Sequence, residues 1–143
     1  MRKAILGIVA GTLLAPAVMA DSKTETEYRQ AVYKSIGGHM TAIVTSLKNQ
    51  VHMEDFAMHA RGLASLANVA PNVFAEGSAT EKSKALPAIW ENRVEFDAAM
   101  DKFVDAANNF ATVAESGDMS KVGDAMKALG GSCKGCHDNF KAE

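Results

Sequence analysis

A chain of 143 residues with 48% hydrophobic side chains has room for one buried core, not comfortably for two, and its make-up excludes large-scale disorder. Its formal net charge is −2 and it has no basic stretch interleaved with aromatics, which argues against nucleic acid as a partner.

Residues 1–20 read as a secretory signal peptide outside the fold. Arg2 and Lys3 make a positive start, Ala4 to Leu14 an apolar run, and Val18-Met19-Ala20 a processing site with cleavage after Ala20. The run is too short for a bilayer, which takes about 20 apolar residues. No later run is longer, so a soluble mature domain of residues 21–143 is expected, with no membrane partner. Losing Arg2 and Lys3 from 15 basic side chains leaves 13 against 17 acidic ones, a net charge of −4.

The mature segment then reads as four amphipathic helices, an all-α antiparallel four-helix bundle. From Thr24, the residues Tyr28, Val32, Ile36, Met40, Ile43, Leu47 and Val51 recur at spacings of three and four, the stripe of a helix face. A corner is expected at Asn49 to Asp55, because a helix running on to Ala70 is too long for this domain. The second stripe is Phe56, Ala60, Leu63, Ala67 and Ala70, stopped by Pro71 and Asn72. Pro71 to Pro87 is the one long connection, and Pro87 suits the first turn of the third helix. That helix carries Phe96, Met100, Phe103, Ala107, Phe110 and Ala114 and ends at Ser116-Gly117-Asp118. Asp118 or Ser120 caps the fourth, with Val122, Met126, Leu129, Cys133, Cys136 and Phe140 on its stripe. Gly37-Gly38 and Gly130-Gly131 interrupt two of these helices. Next to Cys133, the second pair is read as room for something bulky.

Both cysteines of the chain fall in "GGSCKGCHDNFK", as Cys133-x-x-Cys136-His137. In an oxidising compartment two thiols suggest a disulfide, yet one across two residues closes too small a loop to stabilise much. A thioredoxin-like pair needs a strand before it, and none is visible. A zinc site needs two more ligands, and His39, His52 and His59 do not lie at ligand-like spacing. The remaining reading is the attachment signature of covalent haem c, one per chain. Residues i and i+3 on a helix face one way, so each thiol can add to one vinyl group of a tetrapyrrole. His137 lies about 100° further round and can carry its imidazole beneath the ring to the iron. The sixth coordination position then separates an electron carrier with two strong ligands from a gas-binding haem with one. His39, His52 and His59 read as solvated surface histidines and Met40 as core, though Met40 is the candidate for a second ligand.

The whole mature segment resembles the class II c-type cytochromes, the cytochrome c′ family, through "YRQAVYKSIGGHM" (Tyr28 to Met40), the C-terminal motif, and "LPAIW" ending at Trp90. The resemblance implies a periplasmic four-helix bundle with haem on the last helix, commonly a homodimer paired through its first two helices. Val44 and Leu66 are expected to be exposed for such pairing. It implies Arg29 and Gln30 near the haem propionates, Tyr33 over the iron, Phe74 and Trp90 in the pocket, and Lys141 beside the proximal His137. Low-spin members of the family have methionine at the position of Tyr33. Tyrosine there implies a five-coordinate, high-spin haem that binds nitric oxide or carbon monoxide and exchanges electrons with a redox partner the sequence does not name. The alternative is a low-spin, Met-ligated electron carrier. No acid–base or nucleophile arrangement suggests an enzyme.

Overall fold

The computed structural model describes residues 21–143; the signal peptide expectation lies outside the described residues. Helix α1 spans Ser22–Asn49, α2 Phe56–Val69, α3 Ala88–Glu91, α4 Arg93–Ser116 and α5 Met119–Phe140. The four long helices form the expected antiparallel bundle. Among the described residues the sole β pairing is one isolated antiparallel bridge, Ala85 to Lys141. None of the described helices is long and apolar enough to cross a membrane.

The ends follow from local chemistry. Asp21 caps α1, accepting from Lys23 N at 2.8 Å and Thr24 N at 3.3 Å. These hydrogen bonds to backbone and to the Thr24 hydroxyl hold its carboxyl below the usual range, the hydroxyl contributing most. The corner after Asn49 turns through two left-handed residues, Gln50 (φ 53°) and His52 (φ 51°), and a 3-10 turn at Met53–Asp55. Gly117 (φ 71°) closes α4, and Asp118 accepts from Ser120 N at 3.2 Å to start α5.

Two expectations need correction. The third predicted helix is not continuous from Pro87. Asn92, at φ −117° and ψ 54°, breaks it into the single turn α3 and the long α4. The break seats Ile89 in the core, while Trp90 Nε1 donates to Ala75 O at 3.0 Å and Arg93 Nη1 to Phe74 O at 3.3 Å, tying the long connection to this corner. Val44 and Leu66 are not exposed: both are half-buried, Leu66 against the core, because α1 and α2 pack closely along their lengths.

The core runs through all four helices, with Ile43, Leu63, Phe96, Met100, Phe110 and Leu129 almost wholly buried. Packing is sequential, α1 on α2, α2 on α4, α4 on α5; α1 and α5 do not close against each other as these pairs do. That open side positions the site.

Between α1 and α2, His39 Nδ1 lies 3.1 Å from His59 Nδ1. The ring centroids are 5.3 Å apart, close to that gap plus the two ring radii, so the nitrogens point at each other as donor and acceptor. Burial first, and His59 second, hold His39 below the ordinary imidazole range. The His39 ring lies over Gly62, where an added Cβ would meet its Cε1 and fall 2.6 Å from its Nε2. Gly62→Ala is therefore expected to swing the ring away and destabilise the protein by about 1 kcal/mol, overpacking outweighing the gain in helix propensity. Urea denaturation checks this; a stabilised variant would show that the ring is free to leave.

Candidate functional site

A cavity of about 480 Å³ opens between α1, the long connection and α5, within the size range of cofactor pockets, roughly 300–1,000 Å³. Helix α1 contributes Arg29, Gln30 and Tyr33; α5 contributes Cys136, His137 and Phe140. Phe74 and Lys141 join them. Residues more than a hundred positions apart thus converge because the bundle is open on this side. Cys133 is half-buried against the core one turn before Cys136. Trp90, expected in the pocket, does not line the cavity; its indole serves the connection through Ala75.

Both thiols are free of any disulfide. Burial pushes both up from the usual thiol range, with Cys133 adding to the effect on Cys136. Neither is poised as a thiolate, so a dithiol redox pair finds no support here. The one grouping of three metal-binding side chains among the described residues is His52, Glu54 and Asp55, all exposed at the α1–α2 corner and including neither cysteine. The imidazole of His137 is exposed; partial burial, then the Lys141 ammonium, hold it below its ordinary range, Asp138 opposing. A neutral ring with a free lone pair is the form that binds iron.

The cavity also carries an aromatic wall. Tyr33 meets Phe74 edge to face at 5.8 Å, Phe74 meets Phe96 at 4.8 Å, and Phe96 meets Phe140 at 5.3 Å. The Tyr33 hydroxyl donates to Met100 Sδ at 3.7 Å. Burial is the main cause that pushes its phenol well above the ordinary value, so it stays neutral. Met40 lies two turns further along α1, packs against the core and lines neither this cavity nor its neighbour.

Arg29 is 4% exposed and sends its guanidinium into the long connection. Nη1 donates to Val73 O at 3.1 Å and Ser78 Oγ at 2.8 Å; Nη2 donates to Ser78 O at 2.9 Å, Ser83 Oγ at 3.1 Å and Thr26 Oγ1 at 3.2 Å. It also lies 5.1 Å from the Phe74 ring centroid. Among the described side chains no carboxylate partners it. Gln30 Nε2 donates to Lys82 O at 2.9 Å. The resemblance-based pair thus holds the connection in place.

A second, larger groove of about 1160 Å³ runs between α4 and α5 and shares Cys136 with the first. Gly131 lines it, whereas Gly130 lines neither cavity. Sequence reasoning missed Phe96 and Phe140 as cavity walls, since each looked like an ordinary member of its stripe. It missed Lys82 and Lys84 because nothing local marks where a connection will fold.

The residues fit a flat, largely apolar, covalently held ring: the free Cys136 thiol in the cavity wall with Cys133 one turn before it and outside the lining, an imidazole held towards its neutral form, aromatic faces, and no acidic side chain in the wall.

Known proteins agree. A family model described as Cytochrome C′ matches residues 24–141. The chain is 37% identical over 141 residues to a cytochrome c′ of Rhodospirillum rubrum, covering 97% of this chain and 96% of that protein. It is 36% identical over 134 residues to a cytochrome c-556 of Agrobacterium fabrum, covering 92% and 88%. The solved cytochrome c prime from Shewanella frigidimarina superposes with a TM-score of 0.82 at 31% identity, covering 87% of this chain and 99% of that one.

Proposed function

The chain belongs to the cytochrome c′ family, and from that premise we propose that it is a periplasmic cytochrome with one axial protein ligand, His137, which leaves the other side of the iron open to nitric oxide or carbon monoxide. Cytochromes c′ carry covalently bound haem c, and Cys133 and Cys136 are the thiols that fit its attachment. The haem supplies an iron that binds diatomic gases and changes oxidation state. In this reading the protein binds gas and exchanges electrons and performs no catalysis of its own. The signal-peptide pattern read in residues 1–20 supports the location.

Overall similarity does not choose between a gas-binding and an electron-carrying member, because relatives named cytochrome c′ and cytochrome c-556 match at 37% and 36% identity. The residue that supports the choice is Tyr33. A neutral phenol is a poor ligand for iron, and its hydroxyl is turned to Met100 Sδ at 3.7 Å. In this reading the ring screens the open side, with the other aromatic rings beside it and the lysines at the cavity mouth. Within the aromatic wall itself the one hydrogen-bond donor is a phenol already engaged, which does little for dioxygen, whereas nitric oxide needs none. Partial burial first, and Lys141 second, hold the His137 imidazole below its ordinary range, Asp138 opposing.

The absorption and electron-paramagnetic spectra of the ferric protein test this reading directly. A high-spin signal is expected, and a low-spin one lost on replacing Met40 would establish the electron carrier instead. Tyr33→Ala is expected to speed carbon monoxide association with the ferrous protein on the order of tenfold, about 1.4 kcal/mol of barrier. Unchanged kinetics would take Tyr33 off the gas path. Tyr33→Met is expected to shift the ferric spectrum towards low spin, since it places a thioether where the low-spin members have one.

A further inference from the structure

We infer that the mouth of the smaller cavity is a docking surface for an acidic protein, formed by Lys82, Lys84 and Lys141. All three are exposed and all three line the cavity that holds Tyr33 and His137. They come from the long connection and from the residue after α5, and backbone pairing gathers them. Ala85 bridges to Lys141, Leu86 N donates to Phe140 O at 3.0 Å, and Ala142 N donates to Lys84 O at 2.8 Å. On the α1 side the Gln30 amide holds the Lys82 carbonyl at 2.9 Å. The backbone that carries the three lysines is therefore fixed, and their exposed side chains rise from one rim.

Charge says what it faces. Among the described residues the ion pairs lie elsewhere, and none of the three lysines belongs to one. With Arg29 they put four cations on the cavity wall, and no Asp or Glu lines it. The haem of the proposed function carries two carboxylates; Arg29 is buried, so three exposed lysines face them at the mouth. Ammonium groups gathered at one mouth repel, Glu81 and Glu143 next to them offsetting part of that, and an approaching carboxylate surface relieves the rest while steering the encounter. The rest of the domain points to the size of the partner. Residues 21–143 hold 17 acidic against 13 basic side chains, so an extended anionic sheet such as a membrane is repelled overall. An acidic patch on a protein touches the rim alone. The inference rests on the haem reading for the charge balance at the mouth and for the partner's redox role, not for the rim itself.

The test uses the intact ferric haem protein and a fluorescently labelled polyglutamate peptide, read by anisotropy at low and high salt. The rim variant Lys82→Gln/Lys84→Gln/Lys141→Gln is compared with Lys48→Gln/Lys102→Gln/Lys127→Gln, which removes the same charge from exposed lysines elsewhere. The rim variant is expected to lose affinity on the order of tenfold and the control far less, with the difference shrinking as salt shortens the Debye length. Equal losses in the two variants, or no binding by the wild type, overturn the surface. Rim-dependent binding to phosphatidylglycerol vesicles stronger than to the peptide overturns the protein partner in favour of a membrane. The spectrum of the same wild-type sample separates the two readings: low-spin iron with rim-dependent peptide binding removes gas binding and keeps the surface.

Discussion

Serine at both Cys133 and Cys136 is expected to abolish covalent haem while leaving the helices in place. The two positions lie one turn apart on α5, both half-buried and neither in a disulfide, so no existing cross-link is lost. Serine oxygens are tolerated here: Ser132, their neighbour, already satisfies its hydroxyl on the Leu129 carbonyl at 2.8 Å. What disappears is the pair of sulfur bonds, and there is no third cysteine to replace them. A haem stain after denaturing electrophoresis reads the result. It is positive for the wild type, negative for the double variant, and weak but present for either single variant. The Tyr33, Phe74, Phe96 and Phe140 rings then line a water-filled cavity, so the unfolding midpoint should fall by roughly 10 °C, the shift expected for a loss of about 2 kcal/mol. A stain that survives in the double variant, or fails in the wild type, would end the attachment assignment.

The helical stripes were legible because burial follows spacing on a helix. Every member of the second stripe, Phe56 to Ala70, and of the third, Phe96 to Ala114, is buried. The first stripe fails at both ends, Val51 being 42% exposed. Tyr28 was read as core but is 56% exposed, and Arg29 beside it is 4% exposed. Periodicity alone assigns a charged side chain to solvent. Only the folded connection, with its Val73 and Ser78 carbonyls, makes a guanidinium satisfied inside. The Asn92 break was invisible for a similar reason, since Pro87 marks a helix start without fixing its length. The Cys133, Cys136 and His137 motif was legible outright because its chemistry is local. His39 and His59 looked like solvated side chains, and only the packing of α1 on α2 over Gly62 brings them together. The lysine rim depends on a pairing between residues 84–86 and 140–142, which no local pattern announces.

Arg29→Met should cost about 3 kcal/mol of stability and loosen the long connection, the second large effect expected. The methionine keeps the apolar stem and removes the fork. Thr26 Oγ1 still donates to Ser78 O at 3.0 Å, but the Val73 carbonyl loses the Arg29 donor and the Ser78 and Ser83 hydroxyls lose theirs. Hydrogen bonds from a charged donor contribute roughly 1.5–3 kcal/mol each, and recovery of the desolvation cost of a buried cation offsets part of their sum. Phe74 also loses the cation over its ring, and with it one of the contacts that hold it against Tyr33. Arg29→Lys is the informative companion. It keeps the charge, but a single ammonium does not span acceptors that two guanidinium nitrogens reach in a plane, so less than half of the loss should be recovered. Urea denaturation gives the energies, and amide exchange across residues 73–83 shows whether the connection has come away. A methionine variant within about 0.5 kcal/mol of the wild type, with unchanged protection, would mean that the connection is held by its own turns and by Trp90 and Arg93, and that Arg29 is present for a ligand alone.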